Sequence, residues 1–216
     1  VTEPAFSAAT ARIVEKARAA FLAYGYAEPT MAMLGEWCGL GRRALYYHFH
    51  SKEDLYRASL RLRNERDQAA ADAVAEQALA RGDPPAEAIG DWLDARFGAT
   101  RRDLLASPHG AELNDVAFRI GSDIMIEVAY DTNRKLAAFV ADLCARGSLR
   151  LRPGVAAQGA ALLLADGARG VNQARPPIPA DEIGLRYRAI VDAILFGCAV
   201  GPCAPSPGSA TPIVTN

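Results

Sequence analysis

Along most of the chain, apolar residues recur at intervals of three and four, and runs alternating with a period of two are absent. That pattern predicts helices throughout. Ile13, Ala17, Ala20, Phe21 and Tyr24 form one apolar stripe, predicting a helix from about Ser7 to Tyr24 that ends at Gly25. Thr30, following Pro29, offers an N-cap for a short helix to about Cys38. Gly39 supplies a turn residue that tolerates positive φ, and a third short helix follows from about Arg42 to His48. Ser51 is another N-cap, with Asp54 three residues on. From Lys52 to about Ala80 neither Pro nor Gly interrupts the chain, so one long helix is expected before Gly82-Asp83-Pro84-Pro85.

Further helices carry Ile89, Trp92, Leu93, Arg96 and Phe97, then, after Ser107-Pro108, Leu113, Val116, Ala117 and Phe118. A long helix is expected from about Ser122 to Ala145, a small-residue helix from Pro153-Gly154 to about Asn172, and a last one from about Asp181 to Cys198. The Pro/Gly/Ser-rich residues 201–216 read as a disordered tail.

Composition narrows the class. With 216 residues, half of them hydrophobic, and a mean hydropathy of +0.00, a soluble globular protein with a proper core is expected. The longest uncharged run near the middle, Pro153 to Ala165, is too short to span a bilayer, and no basic segment followed by an apolar one opens the sequence. A cytoplasmic protein without a membrane partner is expected. Cys38, Cys144, Cys198 and Cys203 are scattered, which suits thiols rather than a metal site or disulfide framework. Residues 1–66 hold ten Lys/Arg against seven Asp/Glu, and the rest fourteen against eighteen, so only the front of the chain is suited to a polyanion.

The stretch Gly39-Leu-Gly41-Arg-Arg-Ala44 matches a dinucleotide-binding fingerprint, but that turn needs a preceding strand, and here a capped helix precedes it. A short helix, a glycine turn and a second short helix instead make a helix-turn-helix. Its second helix carries Arg42 and Arg43 at the N-terminal end, where a guanidinium can fork to guanine. Tyr46, Tyr47 and His48 can donate to phosphates, while Leu45 and Phe49 face the core. Thr30 and Lys52 stand at helix starts, where a backbone N–H or an ammonium can hold a phosphate. Arg57, Arg61, Arg63 and Arg66 read as a solvated helix face.

Phe21-x-x-x-Gly25-Tyr26, Thr30, Gly39 and Leu45-Tyr46-Tyr47-His48-Phe49-x-Ser51-Lys52-Glu53-x-Leu55 resemble the N-terminal domain of the TetR family of transcriptional regulators, over roughly residues 8–60. The resemblance implies an all-α homodimer of about nine helices per chain. Its first three helices bind DNA, the fourth links them to a ligand-binding core, and the last two pair with a second subunit. Residues 1–51 would form the DNA-binding domain and 52–200 the effector-binding and dimerisation domain. By position, Thr30 and Lys52 would contact phosphates, and Tyr46 and His48 would lie against the backbone. Arg42, Arg43, Ala44 and Tyr47 would face the bases. The sequence departs from the family at Gly41, usually a small polar cap, at Arg43, often glycine, and at Pro29, usually threonine. An inherited operator sequence is therefore not expected.

The remainder offers no catalytic constellation: His109 is the one histidine beyond His48 and His50, and no nucleophile pairs with it. Neither enzyme activity nor a cofactor is expected. A small-molecule pocket between helices is, with Trp92, Phe97, Phe118, Met125 and Tyr130 as lining and His109 and Asn114 as polar anchors. The small residues Ala160 and Gly167 beside Leu163, with Tyr187, Ile190 and Ile194 on the last helix, suit a symmetric subunit contact. The expected function is a ligand-responsive repressor binding a palindromic double-stranded operator as a homodimer. The rival is a helical binding module without DNA affinity.

Overall fold

A computed structural model of the chain describes residues 6–198, so the expected tail at 201–216 and Cys203 lie outside the described residues. The chain is all-α. The helices are α1 (Ala8–Tyr24), α2 (Met31–Cys38), α3 (Arg42–His48), α4 (Lys52–Arg81), α5 (Pro85–Leu93), α6 (Ala99–Ala106), α7 (Gly110–Ile120), α8 (Ser122–Ala145), α9 (Ala157–Asn172) and α10 (Ile183–Cys198). A π-helical turn, Asp94–Gly98, joins α5 to α6. Counted with that junction as one rod, the described residues hold nine helical rods. None of the described helices is long and apolar enough to cross a membrane.

The expected caps operate. Ser7 accepts from the Thr10 amide and Thr30 from the Met33 amide, and Ser51 Oγ accepts from the Asp54 amide at 3.0 Å. Three boundaries shift. α1 begins after its cap Ser7, α9 begins at Ala157 rather than at Pro153-Gly154, and α10 begins at Ile183 rather than Asp181. The buried stripe of α1 is Val14, Ala17, Ala20 and Phe21, turned from the expected one. Ile13 is half-buried, and Tyr24 remains at the surface, where its ring meets the Trp37 edge at 5.2 Å.

The described chain divides into two compact units. The first runs to Arg66 and includes Thr100–Ala129; the second comprises Asp67–Ala99 and the chain from Tyr130 on. α4 and α8 each contribute to both. The first unit's core gathers Phe21, Leu34, Leu45, Phe49, Leu55 and Tyr56 with Leu113 and Val116 of α7. In the second, α10 packs against α9 and α5, burying Trp92, Leu93, Leu164, Tyr187, Val191 and Leu195. Burying aliphatic side chains such as Leu93, Leu164, Val191 and Leu195 stabilises the fold by about 1.5–3 kcal/mol each.

Arg57, Arg61, Arg63 and Arg66 are not merely a solvated face. Arg57 forks onto Asp123 at 2.8 and 2.6 Å and donates to the Ile120 carbonyl. Arg61 pairs with Glu127, Arg63 with Asp103, and Arg66 with Glu15. These partners lie far along the chain, where local spacing gives no sign of them.

Candidate functional site

The turn between α2 and α3 is built on Gly39, whose φ of 74° and ψ of 28° place it in the left-handed region. Its N–H donates to the Glu36 and Gly35 carbonyls, and Leu40 N–H donates to Gly35 O at 2.8 Å. Lys16 Nζ donates to Cys38 O at 3.1 Å, placing a cation at the end of α2, where the helix dipole favours it. Gly41 caps α3 without a side-chain bond. This geometry sets α3 on α2 through a single buried α3 side chain, Leu45, with Phe49 buried just after it.

Every other residue of α3 is exposed: Arg42, Arg43, Ala44, Tyr46, Tyr47 and His48. Tyr47 is 86% exposed, so it is a surface residue and not part of the core. The Arg42 guanidinium lies over the Tyr46 ring, 5.6 Å from its centroid. The Tyr47 ring meets His48 edge-on at 5.5 Å. The sequence-predicted base-facing and backbone-facing residues therefore share one open helix. Its N-terminus presents two guanidinium groups, and its far end two phenols and an imidazole.

Thr30 and Lys52 stand elsewhere. Thr30 caps α2 through Met33 N–H at 3.3 Å and remains exposed. Lys52 Nζ donates to the Tyr26 and Ala27 carbonyls at 2.7 and 3.0 Å and lies 4.7 Å from the Tyr26 ring centroid. Burial lowers its pKa from the ordinary value, opposed by the charge of Glu112. The same turn is held from its amide side. Glu112 Oε1 on α7 accepts from Tyr26 N–H at 3.1 Å and Ala27 N–H at 2.9 Å, and His109 Nδ1 lies 3.5 Å from Oε2. Gly25 is required there: its φ is 76°, and a Cβ would collide with the Glu112 carboxylate. Sequence reading singled out neither Glu112 nor Lys16. Their partners are backbone groups, which have no residue identity to read.

The predicted pocket residues divide between the two units. In the second, Trp92 is fully buried, Phe97 is half-buried beneath the Arg96 guanidinium at 4.9 Å, and Tyr130 is exposed. In the first, His109 sits beside Glu112, Asn114 and Met125 are half-buried, and Phe118 is exposed. Of the predicted pairing residues, Ala160 and Tyr187 are buried within the chain, and the Tyr187 hydroxyl donates to Asn172 Oδ1 at 2.6 Å. Gly167 is the close-approach point of α9 on α10, where a Cβ would lie 2.5 Å from Ile190 and 3.3 Å from Ile194. Leu163 is exposed, as are Leu162, Leu185 and Phe196 on the same two helices.

Residues 13–59, which span α2, α3 and most of α1, match the family described as bacterial regulatory proteins, tetR family. The HTH-type transcriptional repressor Rv1474c of Mycobacterium tuberculosis is 31% identical over 102 residues, which are 47% of this chain and 54% of that protein. The chain thus matches about half the length of this curated relative. Among solved structures, SmeT, the repressor of the Stenotrophomonas maltophilia multidrug efflux pump SmeDEF, is similar over 95% of this chain and 97% of its own, with a TM-score of 0.65 and 17% identity. A SmeT–triclosan complex is similar over 97% and 100%, at 16% identity and the same TM-score. A transcriptional regulator from Cytophaga hutchinsonii covers 87% and 97%, with a TM-score of 0.67 and 16% identity. At such identities the likeness speaks for the fold.

Proposed function

We propose that the chain, whose residues 13–59 match the tetR family of bacterial regulatory proteins, is a DNA-binding transcriptional repressor of that family, released by a small molecule. The observation that carries the proposal is α3, which buries Leu45 and leaves Arg42, Arg43, Tyr46, Tyr47 and His48 in the open. A helix of that size reaches only a few base pairs, so two copies in a homodimer read a palindrome with half-sites about one helical turn apart. Arg42 and Arg43 read base edges; Tyr46, His48 and Thr30 hold the backbone, with Lys52 contributing its remaining donor.

The effector acts through α4, which belongs to both compact units. A ligand held by the helical body shifts α4 and changes the separation of the two recognition helices. It does so only as far as it binds the non-DNA state more tightly than the DNA-bound one. The triclosan complex of SmeT supports a ligand-accepting body as one use of this fold.

The test is selection of bound duplexes from a random DNA pool at two salt concentrations. An enriched palindrome whose affinity falls steeply with salt is expected. Failure to bind any duplex even at low salt would replace the repressor with a helical binding module that lacks DNA affinity.

A further inference from the structure

The second unit contains a partly buried ionic cluster that α3 does not use and that residue spacing does not reveal. Arg96, within the π-helical turn, is only 3% exposed, and its Nε donates to the hydroxyl of buried Thr132 on α8 at 3.1 Å. Burial lowers the guanidinium's pKa, opposed by the charges of Asp67, Asp131 and Asp72. One turn from Asp72 along α4, Gln68 is 8% exposed and donates through Nε2 to Asp72 Oδ1 at 2.8 Å. Lys135 of α8 pairs with the other oxygen of Asp72. Arg134 pairs in turn with Asp131, so three carboxylates stand with three cations.

Gln68 Oε1 is buried and has no hydrogen-bond partner among the described residues. Asn133 Oδ1, beside Thr132 on α8, is in the same position. Both unmet atoms are acceptors. Nearly all buried polar atoms in folded proteins are paired, and one left unpaired is costly. Arg96 lies within the π-helical turn, and such turns recur at functional sites. What these atoms lack is a donor, and an ionised carboxylate has none to offer.

We propose that Gln68, Asp72, Arg96 and Thr132 form a ligand subsite of the second unit, whose occupant donates a hydrogen bond to Gln68 Oε1 from a hydroxyl, amide or ammonium group and is not a carboxylate. The subsite defines the chemical class of the effector and, for its regulatory consequence, rests on the repressor reading above.

Four probes of similar shape separate the chemistries: 2-phenylethanol, 2-phenylethylammonium, 2-phenylethyl methyl ether and 3-phenylpropionate. Each is titrated into the full chain and followed by amide NMR shifts and by the thermal midpoint. The alcohol and the ammonium are expected to bind, with the ether about tenfold weaker for want of one hydrogen bond and the carboxylate weaker still. Gln68→Leu and Gln68→Met, the second nearer in length should the first fold poorly, are expected to abolish the preference for alcohol over ether. Equal binding of alcohol and ether, survival of the preference in both variants, or no response to any probe would overturn the subsite. A chain that selects an operator yet ignores all four probes loses the subsite alone. One that takes up the alcohol but binds no DNA keeps the subsite and loses its regulatory role.

Discussion

The Lys52 ammonium donates to the Tyr26 and Ala27 carbonyls, which leaves one of its three protons for any other acceptor. Its first role is therefore to hold the chain between α1 and α2, where Glu112 holds the adjoining amides. Lys52→Met is expected to lower the stability of the chain by about 1–2 kcal/mol, read as a lower urea midpoint at unchanged slope. An unchanged midpoint would mean that the two carbonyl bonds contribute nothing. Arg42 acts at another place. Its guanidinium rests on Tyr46 at the open end of α3, and Arg42→Ala is expected to cost about 1–3 kcal/mol at one operator position while sparing the others. Competition between single-base operator variants measures that; a uniform loss over all variants would make Arg42 a phosphate contact. The chemistry of both residues was legible in the sequence, because a cation at a helix start is a local feature. The partners of Lys52 were not, since they are carbonyls 25 and 26 residues away.

Helix ends follow from neighbouring residues, and so α1 to α4 and α8 could be read almost to the residue from Ser7, Thr30, Gly39, Ser51 and the run without Pro or Gly. Contacts between helices do not follow from neighbours, and the arginines of α4 show why. Arg57 appears on a polar face, yet it forks onto Asp123 and caps α7 at Ile120. The π turn at Asp94–Gly98 also escaped, because a helix of continuous apolar period gives no sign of one inserted residue. Two expectations follow for the elements of the first unit. Tyr56 joins α4 to α7 by donating from its buried hydroxyl to Leu113 O at 2.7 Å. Tyr56→Phe leaves that carbonyl unpaired, with an expected loss of about 1–2 kcal/mol in chemical denaturation. Asp123 is held below its ordinary value of 3.8 by its hydrogen bonds with Arg57. Because the folded value is depressed, the contribution is present above pH 3.8 and disappears as pH falls below it toward the folded value. In acid titration Asp123→Asn should flatten stability in that window. Added salt should shrink the difference, since the carboxylate is exposed at the surface. Parallel acid curves for the two proteins would rule the pair out as a source of acid sensitivity.

For a repressor of the kind proposed, DNA reading and subunit pairing are one requirement, since a lone α3 cannot specify an operator. α9 and α10 contain residues of two kinds. Ala160 and Tyr187 are buried within the chain, and Gly167 seats α9 on Ile190 and Ile194 of α10. Leu162, Leu163, Leu185 and Phe196 on the same helices remain exposed, the last at 80%. Exposed apolar groups of that size, on helices already packed together, are suited to burial against a second copy of the chain. The two kinds of residue should respond differently to substitution. Leu163→Arg is expected to leave the helical content unchanged and to shift the sedimentation coefficient from dimer to monomer. Operator affinity should fall with it, because each half-site is then bound independently. Tyr187→Phe loses its bond to Asn172 and should lower the melting midpoint while the chain still sediments as a dimer. If Leu163→Arg remained dimeric at micromolar concentration, pairing through this stretch of α9 would be wrong, and the search would move to Leu185 and Phe196 on α10. A monomeric Leu163→Arg that still bound the full palindrome with wild-type affinity would instead separate pairing from DNA reading.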